Sequence, residues 1–125
     1  MDARTLSRCR LGIVCVERAM MTIITHVALK EGSEPEWDAI MRERVDAARG
    51  QAGWLGGQLL IPLAALNERL IVGTWASRAD WEAWHEDEAF NETRERLNEL
   101  QVEERESTWH EVLVDVRADA GSAGA

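Results

Sequence analysis

Tyrosine is missing from these 125 residues and phenylalanine occurs once, at Phe90, yet tryptophan occurs six times. Any flat ring the protein needs is therefore an indole, with a broad apolar face and one N–H donor but no ionisable hydroxyl. Cysteine is nearly missing too. Cys9 and Cys15 are the only two, both lie in the first fifteen residues, and no histidine stands at zinc-ligand spacing from them. That excludes a disulfide framework and a zinc module, and it points to a reduced, cytoplasmic protein. Positive charge is scarce: 14 Lys and Arg against 23 Asp and Glu leave a net charge of −9. Binding to nucleic acid or to an anionic membrane needs clustered cations, so neither partner is expected. No apolar run approaches the roughly 20 residues that cross a bilayer. Glycine-rich phosphate loops, dinucleotide fingerprints and nucleophile elbows are also absent, and "GWLGG" sits in a strand pattern rather than at a strand-to-helix turn. No flavin, nicotinamide or metal site is expected.

What is present suits one domain, flanked by two segments outside it. Arg4, Arg8 and Arg10 precede the apolar stretch Leu11 to Val16, which imitates a signal peptide but is stopped by Glu17 and Arg18. The stretch is shorter than an ordinary signal core of about 7 to 15 residues. Regular patterning starts only after Met20 and Met21, so residues 1–20 read as an arm outside the fold, residues 21–117 as the domain and residues 118–125 as a disordered tail.

Within the domain, "TIITHVAL" (Thr22 to Leu29) is β-branched and closes at Gly32, which predicts a strand. Ser33 and Glu36 have capping-box spacing, and Trp37, Ile40, Met41, Val45 and Ala48 then recur at helical intervals. "WLGGQLLI" (Trp54 to Ile61) predicts a second strand that its glycines bulge or thin, in a hairpin with "RLIVGTW" (Arg69 to Trp75). Ser77, with Asp80 three residues on, caps a second helix. On it Trp81 and Trp84 are out of phase with Phe90, Thr93, Leu97 and Leu100, which predicts a break near Glu86 to Glu88. "TWHEVLVDV" (Thr108 to Val116) reads as the last strand, and the acidic run Glu103, Glu104, Glu106 as a solvated face. The order βαββαβ is that of a ferredoxin-like α+β fold, one antiparallel sheet with both helices on one face. Apolar residues on both sides of the first and last strands need a second cover, which a symmetric homodimer with sheets face to face supplies.

The chain resembles the antibiotic biosynthesis monooxygenase family, the dimeric α+β barrel group that includes cofactor-independent quinone-forming oxygenases and haem-degrading monooxygenases. The resemblance spans about Met21 to Val116. It rests on the element order, "VALKEG" ending the first strand, "GWLGGQLL" opening the second, and "IVGTWASRADWEAWHEDEAF" across the third strand and second helix. It implies a ligand pocket between sheet and helices, with a small electron-rich aromatic substrate and O2 as partners. For the haem-degrading branch it implies an asparagine on the first strand, a tryptophan ending the third and an iron-ligating histidine on the second helix. Trp75 matches the tryptophan, whereas Thr25 and Arg94 fall at about the other two positions. Arginine stays protonated and is a very poor iron ligand, so no resident cofactor is expected, and haem remains open as ligand or substrate.

The candidate site residues follow. Trp75 gives a pocket a flat wall or serves as core; Trp84, just before the break, is divided between the same roles. Trp81 and Trp37 read as core. His85 is either a general base, a substitute iron ligand or a solvated histidine beside "EDE". Arg94 either holds an anionic substrate or pairs with helix glutamates. Thr25 and Asn91 are candidates to orient substrate oxygens, and Trp54 to contact the ring, while His26 and His110 read as structural. Three functions remain: an oxygenase acting on a phenol or hydroquinone without flavin or metal, a haem-binding or haem-degrading protein, and a non-catalytic dimeric small-ligand-binding module.

Overall fold

Residues 6–8, 14–16, 20–104 and 107–118 are described by the structure, a computed structural model; for 6–8, 14–16 and 103–104 the description is of the backbone. Two short strands, β1 (Leu6–Arg8) and β2 (Val14–Val16), pair antiparallel in a sheet of their own, with Leu6 opposite Val16. Of the expected arm Met20 is also described, whereas its other residues, Cys9 included, lie outside the described residues, as do 119–125 of the expected tail.

The main sheet is built around β3 (Met21–Leu29). Its side chains alternate: Ile23, Val27 and Leu29 are buried on the face toward the helices, whereas Ile24, His26 and Ala28 lie on the outer face, half-buried. Helix α1 (Glu34–Ala48) carries Pro35 in its first turn and buries Trp37, Ile40, Met41 and Ala48. The capping box expected at Ser33 does not form. Ser33 has helical rather than extended backbone angles, and its hydroxyl donates to the carbonyls of Lys30 (2.6 Å) and Leu100 (3.1 Å). That serine ties the helix start to the sheet instead.

Strands β4 (Trp54–Leu60) and β5 (Glu68–Trp75) form the expected hairpin, with the register slipping between Trp54 and Gly56 where the glycines allow a bulge. Ser77 caps α2 (Arg78–His85) by accepting from the Asp80 N–H at 3.2 Å. The expected break falls at Glu86 and Asp87. Asp87 caps a separate α3 (Glu88–Asn98) by accepting from Ala89 N–H at 2.8 Å, and α3 buries Phe90, Thr93 and Leu97.

The last strand corrects the sequence reading. It comes in two pieces, β6 (Gln101–Glu104) beside Val27 to Leu29 and β7 (Thr108–Glu111) beside Met21 to Ile24. The expected strand to Val116 stops at Glu111 because its partner β3 starts at Met21, the residue opposite Glu111. Val112 N–H still reaches the Met20 carbonyl at 2.8 Å. Beyond it Leu113, Val114 and Val116 are exposed. The backbone of Glu103 and Glu104, expected on a solvated face, is part of β6.

The sheet order β4-β5-β3-(β6, β7), antiparallel throughout, is the ferredoxin-like arrangement, with two helical segments where one kinked helix was expected. Two buried clusters fill the inner face: one around Trp37, Leu29 and Met41, the other around Trp75, Trp84, Ile23 and Phe90. Arg69 is buried beside the first. It is clamped two-pronged on Asp38 (2.8 and 3.1 Å) and donates to the carbonyls of Leu66 and Glu68. Among the described residues, no helix is long and apolar enough to cross a membrane.

Candidate functional site

On the inner face Gly57 of β4 stands opposite Gly73 of β5. Two paired glycines leave a patch of sheet with no side chains, and the space above it stays open as a cavity of about 150 Å3. A Cβ at Gly73 would stand 3.4 Å from Nε1 of Trp75, so the bare backbone is what keeps the indole edge clear. Trp75, only 3 % exposed, forms one wall, with Trp54 beside it in register. Trp84 closes the space from the helix side, its ring 6.5 Å from Trp75 and 29° from parallel. The walls are therefore indole on three sides, a surface that suits a flat apolar ring.

Polar groups enter at few places. Thr25 lies where β3 has lost its outer neighbour, in the gap between β6 and β7, and its hydroxyl meets that of Ser107 at 2.6 Å. Both residues line the cavity.

His85 closes the last turn of α2, and the helix break turns the chain back over it so that its ring fits between Trp81 (3.6 Å) and Phe90 (4.1 Å). In this slot the ring is half-buried. Its Nδ1 lies 2.9 Å from the Trp81 carbonyl oxygen, which can only accept, so Nδ1 carries the proton and Nε2 keeps its lone pair. Burial pushes the imidazole below its usual pKa of 6.5. The nearby charges of Arg44 and Arg94 push the same way, against the opposing effect of the Trp81 hydrogen bond. A neutral imidazole with a free Nε2 is a proton acceptor at neutral pH.

The structure thus brings five of the seven candidates, Trp75, Trp84, Trp54, Thr25 and His85, to one cavity. It does not bring Arg94 there. Arg94 is exposed on α3 and borders a separate outer cleft of about 300 Å3, of which His85 also forms part of the wall. Asn91 is exposed and borders neither space. Trp37, fully buried, is core as expected, its N–H donating to Gln101 Oε1 at 3.0 Å. Trp81, expected in the core, is half-buried and lines the cavity, with Trp109 edge-on at 4.4 Å. His26 and His110 belong to the outer face or its edge, where His110 Nε2 meets the Thr108 hydroxyl at 2.9 Å.

Arg44 is the residue that sequence reasoning missed. It lines both spaces, stacks over Phe90 at 4.0 Å, and donates to Thr93 Oγ1 at 2.8 Å. Its signal was in the spacing: Trp37, Met41, Arg44 and Ala48 follow one helical stripe, and a cation in an apolar stripe needs a reason. Among the described residues, no three His, Cys, Asp or Glu side chains gather as metal ligands.

Comparison with known proteins agrees with the fold. The sequence profile described as antibiotic biosynthesis monooxygenase matches residues 20–96. No curated protein matches significantly. Among solved structures, a provisionally assigned antibiotic biosynthesis monooxygenase of Nitrosomonas europaea superposes with a TM-score of 0.73 at 14% identity, over 80% of this chain and 96% of its own. A Mycobacterium tuberculosis protein gives 0.71 at 13% identity, over 79% and 100%. A Pseudomonas aeruginosa protein gives 0.69 at 18% identity, over 77% and 96%. Likeness at such low identity speaks to the fold.

Proposed function

The chain belongs to the antibiotic biosynthesis monooxygenase family, and from that premise we propose that it oxidises a single-ring phenol or hydroquinone with O2, without flavin or metal. The observation that carries this reading is the indole-walled cavity with one neutral imidazole at its edge. Its volume of about 150 Å3 is on the order of the space that takes one benzene ring.

A phenol needs little from the protein beyond deprotonation, orientation and dryness, because the phenolate itself supplies the electrons. Nε2 of His85 takes the hydroxyl proton. The ring carbon para to the oxygen then bonds one atom of O2, the O–O bond breaks, and phenol plus O2 becomes quinone plus one water. Trp75 and Trp84 hold the ring, while Thr25 with Ser107 offers a hydroxyl pair to its oxygen.

A second copy of the chain is the partner we assign to the outer sheet face. Ile24, Ala28, Leu70, Val72 and Leu60 lie there, whereas the buried residues of all three helices join the inner face. Haem fits poorly. A porphyrin has four linked rings against space for about one, and Arg94 stands where the resemblance expects the iron ligand.

Oxygen uptake with a panel of phenols and hydroquinones tests the proposal, with Trp75→Ala and His85→Gln as variants. Uptake lost in both variants supports it. Ring binding without uptake in the wild type would make the protein a carrier or sensor, and saturable hemin binding abolished by His85→Ala would move it to the haem branch.

A further inference from the structure

The chain has 23 acidic residues, yet among the described residues no acidic side chain lines the outer cleft beside the cavity. Its polar lining is all donors or neutral groups: Arg44, Arg94, His85, Asn98 and Gln101, with Phe90 and Leu97 as apolar floor. In a protein of net charge −9, a concave site whose described lining has two guanidiniums and no carboxylate is a local reversal of sign.

The cleft also adjoins the ring cavity: Arg44, His85 and Phe90 border both. The two arginines are not equivalent. Arg44 is committed to Thr93, to the Phe90 carbonyl and to the Phe90 ring, so it contributes a fixed charge. Arg94 is exposed and, among the described residues, makes no hydrogen bond or ion pair; its exposed neighbour Arg96 is held two-pronged by Glu43 at 3.1 and 3.3 Å.

We propose that the substrate is a phenolic acid whose ring occupies the indole-walled cavity and whose carboxylate is held in the outer cleft by Arg94, with Arg44 as standing charge. This deepens the phenol-oxidising reading and rests on its ring cavity. The arrangement gives a reason for the lack of acids in the described lining of the cleft: one there would oppose the substrate's charge. It also puts His85 between the two halves of the ligand, where its Nε2 can meet a hydroxyl on the ring while the arginines hold the far end. The sum of ring and carboxylate recognition gives a small ligand two anchors and therefore one orientation, which a bare phenol in a cavity walled by similar indoles lacks.

The test is quenching of tryptophan fluorescence by 3-hydroxyphenylacetate, whose ring carbon para to the hydroxyl is free, and by its methyl ester, in the wild type, Arg94→Gln, Trp75→Phe and Arg96→Gln. The acid should bind the wild type more tightly than the ester. Arg94→Gln should weaken the acid about three- to tenfold, the range for a charge-assisted contact at a partly open site, and leave the ester unchanged. Arg96→Gln removes the same charge outside the cleft and should leave both ligands unchanged. Equal binding of acid and ester, both weakened by Trp75→Phe, overturns the carboxylate subsite and spares the ring cavity. Equal loss in Arg94→Gln and Arg96→Gln reduces the effect to net charge and overturns the subsite too. Failure of both ligands to bind the wild type overturns the ring cavity and the subsite together.

Discussion

Replacing Trp75 by alanine separates a cavity wall from ordinary core. The indole is 3 % exposed, and a buried tryptophan removes roughly 150 to 250 Å2 from water. At about 25 cal/mol per Å2 that is about 4 to 6 kcal/mol as an upper bound, and buried Trp→Ala changes cost about 3 to 5 kcal/mol. We expect a loss of about 4 kcal/mol, seen as a fall in Tm of roughly 15 °C by circular dichroism or calorimetry. Because the lost indole opens onto space that already exists, the walls cannot collapse onto it, and free indole should enter. At 100 times its Kd, added indole restores about 2.7 kcal/mol, so most of the fall in Tm should reverse in the variant, with a smaller effect on the wild type. A loss below about 1 kcal/mol would refute the packing argument. Indole raising the Tm of both proteins equally would refute the cavity argument.

Three further outcomes follow from the same contacts. His85 takes up its proton less readily folded than unfolded, so the unfolded chain binds more protons as pH falls from about 6.5 toward the lower folded value. Its contribution is constant above that window and becomes destabilising within it. Urea unfolding of His85→Gln should therefore gain on the wild type between pH 7 and pH 5, and parallel profiles would contradict the burial of the ring. Arg69→Met should cost about 3 kcal/mol, at the low end for a broken buried pair because the Asp38 side chain is still 29% exposed; a denaturant midpoint shift worth less than about 1 kcal/mol would show the clamp to be dispensable. Gly73→Val should leave the Tm within a few degrees, since a β-branched residue suits a strand and its Cβ meets nothing closer than 3.4 Å. It should nevertheless abolish binding of a phenol to the cavity, measured by calorimetry; retained binding would place the ring elsewhere.

The sheet and helices were legible where one face of an element is buried and the other is not. Alternation in β3 and the stripe of α1 are direct projections of that burial onto the sequence. The break between α2 and α3 was legible for the same reason: a helix cannot aim Trp84 and Phe90 at one core without changing phase, and the chain resolves this by stopping and recapping at Asp87. What failed were features set by a partner strand. Gln101 to Glu104 has one apolar residue and no period-two signal, yet it is a strand because Val27 to Leu29 offers it a ladder. Conversely "VLVDV" has strand composition and no ladder, since β3 has ended. Ser33 has the spacing of a cap and spends its hydroxyl on the carbonyls of Lys30 and Leu100 instead.

The site divides along the same line. Trp75, Trp84 and Trp54 were found because an aromatic residue at a strand end or a helix break is conspicuous in one dimension. Two things that make them a site are not. The first is an absence of side chains, since Gly57 and Gly73 lie on different strands of a hairpin and meet only through its register. The second is a shared wall. His85, Phe90 and Arg44 come from both sides of a helix break and from another helix altogether, yet together they border both the ring cavity and the cationic cleft. Arg94, expected inside the cavity from its place on α3, is one turn past Phe90 and so reaches the far side of that wall. On the reading proposed above, that turn of displacement takes its charge from the reacting ring to a carboxylate outside the ring cavity: the first role would need only a phenol, the second needs an acid.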